Sequence, residues 1–334
     1  MLPAYISDTG HGAASHEAPL LLTHVQSYFF TLRVQQEPLQ AFIDGQLNRV
    51  SRGAVHYRAL PWVLNCWYRS ARGTSLAEAG GYMPSNECLF VVPLLQTLRE
   101  QPQAPQLKAW IPYLFIDQQD ALITAREVWG YRKTLGRVAI PESPDAAVEF
   151  GATATVFPGL DRSREGREMK LVSLRRTAAP GPLQSRLADA AGGLRQLIGR
   201  LGGVGDADWA HLAEHAVERL YDLLPTVMFP LINLKQFRDA ADSSRACYQA
   251  LVECPTQLVK LHGGGLLPGD YSLEIPYVES HTIVKDLGLV TAGGAAGDGP
   301  RPRAVMHPAL AQWATMDLKV VGGSVIWEAD AHRD

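Results

Sequence analysis

Residues 126–136 of this chain read Arg-Glu-Val-Trp-Gly-Tyr-Arg-Lys-Thr-Leu-Gly, and they follow the apolar run from Ile111 to Ile116. The segment places one lysine, Lys133, in an aromatic setting. A lysine whose ammonium is poorly solvated has a lowered pKa, and its free amine can attack a ketone to form a Schiff base. We therefore predict that Lys133 is a nucleophile and that Trp129 and Tyr131 form the walls of its pocket.

This segment resembles the active-site signature of the acetoacetate decarboxylase family. That signature runs Gly-Arg-Glu, two or three residues, an aromatic residue, Pro and then Lys-Lys-Leu-Gly. The matching positions here are Arg126, Glu127, Tyr131, Lys133, Leu135 and Gly136. The resemblance implies that Lys133 is the Schiff-base lysine and that Arg126, Glu127, Trp129 and Tyr131 contact the substrate.

Besides Ala125, which replaces the first glycine of the signature, two departures matter. Arg132 stands where the family has proline, and Thr134 stands where it has a second lysine. If the segment is extended, residues 132 and 134 point away from the face that Lys133 uses. Loss of the second lysine then removes little direct repulsion, and we expect desolvation to activate the amine.

A second match begins at Glu87, in the segment Glu-Cys-Leu-Phe-Val-Val-Pro that ends at Pro93. The family has an active-site glutamate ahead of an alternating apolar run that ends in proline. The resemblance implies that Glu87 transfers protons while a carbinolamine forms and dehydrates. The alternative is a glutamate in water at the end of a strand.

A third match is weaker. The family has an Arg-x-Tyr-Phe strand whose arginine turns into the pocket, and Gln26-Ser-Tyr-Phe29 aligns with it. Gln26 is the expected substrate-binding residue at this position. Its side chain has one neutral amide, whereas an arginine side chain binds a carboxylate with two hydrogen bonds. The family's second pocket glutamate has no clear counterpart near Leu64 and Asn65. We therefore expect a substrate that is larger, less anionic or not a β-keto acid.

The reaction implied by the resemblance is decarboxylation of a β-keto acid through an iminium on Lys133, without a metal or organic cofactor. The same iminium serves aldol addition, retro-aldol cleavage or dehydration, so a Schiff-base aldolase or dehydratase is the alternative enzyme. A small-molecule binding protein that lost turnover is the third reading. The expected partner is a small keto compound, and the family usually forms homo-oligomers.

Composition excludes several other classes of protein. Apolar residues make up 46% and charged residues 19% of the 334 residues, which is typical of a globular protein. The net charge of −3 gives no electrostatic footprint for nucleic acid or an anionic membrane. We see no apolar run long enough for a transmembrane helix and no secretory signal. The four cysteines lack C-x-x-C spacing, which favours buried, reduced thiols and a cytoplasmic location.

Short runs rich in β-branched and aromatic residues recur along most of the chain. They predict an α+β fold, mainly antiparallel β, with an acetoacetate decarboxylase-like β-barrel core in one domain spanning residues 1–334. Two segments with helical periodicity, 183–198 and 210–224, predict a helical hairpin inserted at about 180–225. The predicted strands are Val25–Val34, Pro61–Tyr68, Glu87–Leu94, Trp110–Ile116, Ala147–Phe157, Met169–Leu174, Leu231–Phe237, Ala246–Glu253, Gln257–Leu261, Tyr271–Ile275 and a final pair within Met316–Trp327.

His211-Leu-Ala-Glu-His215 matches H-x-x-E-H, a pattern of zinc peptidases. Glu218 and Asp222 share the face of these histidines, and Leu212, Ala216 and Leu220 form the opposite apolar stripe. Such five-residue matches are common by chance. We interpret the segment as the solvated face of an amphipathic helix.

Overall fold

The computed structural model describes residues 4–6, 15–178, 230–292 and 303–329. The predicted helical insertion at about 180–225, with His211 and His215, lies outside these residues. The helices are α1 (Gln36–Ile43), continued by a π-helical turn (Asp44–Asn48), α2 (Gln119–Trp129) and α3 (Ile283–Asp286). The strands are β1 (Leu20–Arg33), β2 (Val55–Ala59), β3 (Trp62–Ser75), β4 (Met83–Leu98), β5 (Gln101–Ile116), β6 (Lys133–Ala139), β7 (Glu149–Val156), β8 (Arg167–Ala178), β9 (Leu231–Arg238), β10 (Ala246–Cys254), β11 (Thr256–Leu266), β12 (Asp270–Pro276), β13 (Arg303–Met306), β14 (Leu310–Val320) and β15 (Ser324–Glu328).

These strands form one mostly antiparallel sheet with few helices, as the sequence predicts. Its main path runs β11-β14-β1-β3-β4-β5-β6-β7-β8-β12-β13, and the remaining strands branch from it. Within the described ranges, the two end strands β11 and β13 do not pair with each other, so the path is open. The closed barrel of the prediction is therefore not seen.

Both faces of the central strands are buried. Residues that alternate along a strand point to opposite faces, and here each face packs into its own apolar cluster. One cluster includes Phe30, Trp67 and Phe90, and the other includes Leu89 and Leu114. A strand that is buried on both faces reads as a continuous apolar run. This explains why residues 88–95 of β4 show no polar alternation and are all buried.

The structure corrects three readings of the sequence. The strand predicted from Trp110 to Ile116 begins earlier, since residues 101–105, with two prolines, are the exposed start of β5. The final strands β14 and β15 do not form a pair, because β14 lies between β1 and β11 while β15 pairs with β10. Residues 119–129, for which the sequence predicted no element, form helix α2. In residues 101–105 proline and glutamine favour a turn locally, and pairing with β4 overrides that preference.

Helix α2 sets the position of Lys133. It buries Thr124, Ala125 and Trp129 and ends at Gly130, whose φ of +81° lies in the left-handed region that favours glycine. A Cβ atom at Gly130 would lie 2.6 Å from the Cα atom of Lys235, so the helix can end here only at a glycine. The chain then enters β6 parallel to β5, with α2 as the crossover that parallel neighbours require.

Two further findings concern the helices and the cysteines. None of the helices in the described ranges is long and apolar enough to cross a membrane. All four cysteines are free thiols, and Cys66, Cys88 and Cys254 are buried as predicted, whereas Cys247 is exposed.

Candidate active site

Strand register brings Lys133 and Glu87 to one face of the sheet. Glu87 of β4 lies opposite Ile116 of β5, and Leu114, on the same face two residues earlier, lies opposite Lys133 of β6. The two charged residues are therefore two strands apart, about 10 Å between backbones. Their long side chains span that gap, and the Nζ atom of Lys133 donates a hydrogen bond of 2.7 Å to Oε1 of Glu87.

This ion pair is largely withdrawn from water. The side chain of Lys133 is 9% exposed and that of Glu87 is 18% exposed. A buried charge is costly unless it is paired and hydrogen-bonded, and each of these groups supplies the other's partner. An amine held in hydrogen-bond contact with a carboxylate has an acceptor for its proton within the pocket.

The pair lies in the wall of a mainly apolar cavity of ≈130 Å³. Most of the lining side chains are aliphatic or aromatic and come from β1, β3, β4, β5, α2 and β14. The lining residues are Leu20, Leu22, Val25, Tyr68, Ser70, Ser85, Glu87, Leu89, Ile111, Leu114, Ala121, Ala125, Trp129, Tyr131, Lys133, Leu231, Thr256, Leu318 and Val320. Among the described lining residues Lys133 is the one cation, and its surroundings there are mainly apolar.

Two phenols, the half-buried Tyr68 and the buried Tyr131, lie beside Glu87. Tyr68 of β3 is opposite Glu87 in the strand register, and burial, together with the nearby Cys66 and Glu87, raises its pKa well above the usual value. Burial likewise raises the pKa of Tyr131, with further contributions from Cys254 and Glu87, and its hydroxyl donates to the Cys254 sulfur at 3.3 Å. Both phenols stay protonated at neutral pH, and they can act as neutral hydrogen-bond donors.

Trp129 and Tyr131 form the walls that the sequence predicts. Trp129 is 2% exposed, and its indole N–H donates to the carbonyl of Val321 at 2.8 Å. Its ring packs edge-on against Tyr131, with 6.4 Å between centroids. The Nζ atom of Lys133 lies 6.0 Å from the centre of the Tyr131 ring. These rings exclude water from the amine without sharing its proton.

A second, open cleft of ≈490 Å³ shares Tyr131 and Lys133 with the cavity. Arg132 and Thr134, the neighbours of Lys133, both line it, as expected if they point away from the face that the amine uses. Arg132 donates to Oε1 of Gln46 at 2.8 Å, and burial, followed by the nearby Arg126, lowers its pKa. Arg132 therefore lines the open cleft and not the apolar cavity, whereas Lys133 lines both.

The structure brings together only some of the expected site residues. Lys133, Glu87, Trp129 and Tyr131 line the cavity, whereas Arg126 is exposed in the open cleft. Glu127 lies near the hydroxyl of Tyr5 at 3.4 Å, and it lines neither space.

Gln26 also lies away from the amine. Val25 of β1 lines the cavity, so Gln26, the next residue, points to the opposite face of the strand. There its side chain interacts with Tyr28, opposite Arg69 in the register. The substrate-binding role expected from alignment with the family's arginine therefore has no support in this placement.

Sequence reasoning missed four polar residues of the cavity wall: Tyr68, Ser70, Ser85 and Thr256. Ser70 and Ser85 lie opposite each other in the β3–β4 register, and Ser70 Oγ is buried with no hydrogen-bond partner among the described residues. Period-2 alternation from Tyr68 to Ser70 could have placed both on one face. The register between strands, which puts them beside Glu87, cannot be read from one strand alone.

Comparison with known proteins gives matches in structure and none in sequence. No family model and no curated protein sequence matches the chain. Acetoacetate decarboxylase from Legionella pneumophila superposes with a TM-score of 0.56 at 13% identity, covering 98% of this chain and 92% of that one. A second acetoacetate decarboxylase structure gives a TM-score of 0.55 at 11% identity, with 97% and 96% covered.

A third match is the enduracididine biosynthesis enzyme MppR, in complex with the condensation product of pyruvate and imidazole 4-carboxaldehyde. It superposes with a TM-score of 0.51 at 11% identity, and the match covers 100% of this chain and 99% of that one. At such identities the likeness concerns the fold. The chain has an acetoacetate decarboxylase-like fold, which confirms that part of the prediction.

Proposed function

We propose that this protein is a Schiff-base-forming lyase in which Lys133 is the nucleophile and Glu87 moves protons. The observation that carries the proposal is the 2.7 Å contact between Lys133 Nζ and Glu87 Oε1 in the wall of a mainly apolar cavity. Once Glu87 accepts a proton from the ammonium, the amine attacks a substrate ketone and forms a carbinolamine. Glu87 then returns the proton to the departing hydroxyl, which leaves as water and gives an iminium.

With a β-keto acid, the iminium accepts the electron pair of the bond between the α-carbon and the carboxylate. Carbon dioxide leaves, an enamine forms, and protonation at the α-carbon regenerates an iminium. Addition of water then releases the ketone and the free amine of Lys133. Every atom of these steps comes from substrate, water, Lys133 and Glu87, so the proposal names no cofactor.

The cavity also suggests the class of substrate. Among its described lining residues no arginine faces the amine, so a bound carboxylate lacks a guanidinium partner there. An unpaired carboxylate is costly in apolar surroundings, and its loss as neutral carbon dioxide removes that cost. We propose β-keto acids with a small apolar substituent, held by the side chains of Leu89, Leu114 and Val25.

The alternative is a Schiff-base aldolase or dehydratase acting on a keto substrate. The described cavity wall, which has no arginine, also suits a neutral carbonyl compound, because such a compound needs no guanidinium. The similarity to MppR, whose structure holds a condensation product of pyruvate, also supports carbonyl chemistry other than decarboxylation. A non-catalytic binder of small carbonyl compounds is the third hypothesis, and homo-oligomer formation stays a prediction.

Covalent trapping tests the proposal. Purified protein would be incubated with a panel of β-keto acids and ketones plus sodium borohydride, and its intact mass measured. The reduced adduct should form in wild type and be absent in Lys133→Met.

Two lysines give matched controls. Lys108 makes a similarly buried pair with Glu253, at 2.6 Å, and the half-buried Lys235 donates to the carbonyl of Val128 at 3.3 Å. Neither lines the cavity. Lys108→Met and Lys235→Met should retain the adduct. An adduct that persists in Lys133→Met would refute the nucleophile assignment, and no adduct with any carbonyl would leave the binding protein as the better reading.

Product analysis separates the two enzyme classes. Release of carbon dioxide from the trapped acid by wild type, and its loss in Lys133→Met, would establish the decarboxylase. Trapping without carbon dioxide, together with cleavage or dehydration of a keto substrate, would establish the alternative.

A further inference from the structure

A cluster of two histidines and an aspartate lies on three adjacent strands outside the catalytic cavity. His24 belongs to β1, Asp317 to β14 and His262 to β11, and β14 lies between the other two strands. We propose that His24, His262 and Asp317 form a binding site for a divalent transition-metal ion of the zinc type.

Irregular backbone brings the two histidines to the aspartate. The β1–β14 register shifts between Leu22 and Val25, and His24, inside this shift, has a φ of +51°. The β11–β14 register shifts again between Leu261 and Gly263, on either side of His262. Bulges of this kind redirect a side chain at a functional position. The two ring side chains are thus aimed at the one aspartate between them.

The distances suit coordination. Asp317 Oδ1 accepts a hydrogen bond from the backbone N–H of His24 at 2.7 Å, and it lies 2.9 Å from Nε2 of His262. The two imidazole rings stack with 4.5 Å between centroids and 18° between planes. One ligand atom from each residue lies within 4.8 Å of the others. In a tetrahedral site with bonds of about 2.0–2.1 Å, ligand atoms are about 3.4 Å apart, so small side-chain rotations would close the site.

The donor set determines the kind of ion. Two imidazole nitrogens and one carboxylate oxygen suit zinc, cobalt or nickel, whereas calcium and magnesium prefer oxygen ligands alone. Three protein ligands leave a fourth position for water. The backbone N–H of His24 on the carboxylate would hold it in place, as hydrogen bonds to metal ligands commonly do. The side chain of His262 is 21% exposed, so an ion can enter from solvent.

Metal at this site would hold together a wall of the cavity. Leu22 and Val25 of β1, with Leu318 and Val320 of β14, line the cavity, and they flank His24 and Asp317 along the same strands. An ion bound by β1, β14 and β11 would cross-link these three strands. We expect it to raise the Tm, because a ligand that binds the folded state stabilises that state. The site does not depend on Lys133, so it can exist whether or not the catalytic proposal holds.

Titration with cobalt(II), followed by its visible absorption, and calorimetric titration with zinc(II) would test the site. The ligand-removing variants are His24→Asn, whose asparagine tolerates a positive φ, and His262→Gln. Both would be made in a Cys247→Ser background, because the exposed thiol of Cys247 is itself a metal ligand. His56→Gln, which removes an exposed histidine of β2, is the matched control.

The proposal expects one equivalent of metal bound by the background protein and by His56→Gln. Affinity should fall at least tenfold in His24→Asn and in His262→Gln, with loss of the metal-dependent rise in Tm. Measuring each variant's Tm without metal separates lost binding from lost folding. A double variant, His211→Gln with His215→Gln, tests the competing H-x-x-E-H motif and should bind normally. Loss of binding in that double variant, or no loss in the two ligand variants, would overturn the proposal.

Discussion

Removing either charge of the Lys133–Glu87 pair should destabilise the fold, and removing both should restore most of the loss. Deleting one partner of a buried ion pair costs about 3–5 kcal/mol, because the other charge is left without compensation in a poorly solvated place. Both side chains keep some exposure, 9% and 18%. We therefore expect about 2 kcal/mol for Lys133→Met and about 2 kcal/mol for Glu87→Met.

The double variant carries two methionines in a wall that already contains Leu89 and Leu114. Replacing a buried pair with apolar residues of similar volume is often close to neutral, so we expect it within about 1 kcal/mol of wild type. The coupling between the two positions is then about 3 kcal/mol, at the upper end of measured values for contacting residues.

Urea denaturation of wild type, both single variants and the double variant would measure this coupling. The pair Lys108 and Glu253 is the structural control, since Lys108→Met should cost a similar amount while the borohydride adduct at Lys133 persists. A double variant that loses the sum of the two single effects, about 4 kcal/mol, would show that the two groups do not interact. The ion pair, and with it the proton-transfer role of Glu87, would then have to be abandoned.

Three other substitutions test the surroundings of the site. Gly130→Ala should lower the free energy of unfolding by at least about 2 kcal/mol, because the φ of Gly130 is +81° and the added Cβ atom would meet Lys235. Gly45→Ala is the control: a Cβ atom there has open space around it, so this change should be neutral or stabilising in the same urea experiment. Ala121→Leu, which fills part of the apolar cavity, should raise KM about tenfold for β-keto acids with longer apolar substituents and leave acetoacetate turnover unchanged. Equal effects on the longer acids and on acetoacetate would contradict the substrate proposal. Burial lowers the pKa of His281 below its usual value, so the unfolded chain binds more protons at this residue than the folded chain does, and stability falls as the pH drops through the range just below about 6.5. In His281→Gln the loss of stability between pH 7 and pH 5 should therefore be smaller. An unchanged pH profile of stability would contradict this account.

The sequence alone indicated the type of fold and the two residues of the proposed chemistry. Short apolar runs predicted a mainly antiparallel β protein, and the structure shows a mostly antiparallel sheet. The signature around Lys133 and the segment that begins at Glu87 pointed to an amine and a carboxylate, and these side chains lie 2.7 Å apart. Such features are local, since apolar periodicity and the spacing of a motif are properties of neighbouring residues.

Tertiary structure alone decided which residues surround that pair. Gln26 aligned with an arginine of the family, yet strand alternation turns its side chain to the face of β1 opposite the cavity. The register of β3 with β4 places Tyr68 beside Glu87 in the cavity wall. Helix α2 and the first half of strand β5 formed where the sequence predicted no element. The cluster of His24, His262 and Asp317 joins residues that are far apart in the chain. Each outcome depends on pairing between distant strands, because a shift of one residue in register exchanges the two faces of a strand, and no local pattern determines that register.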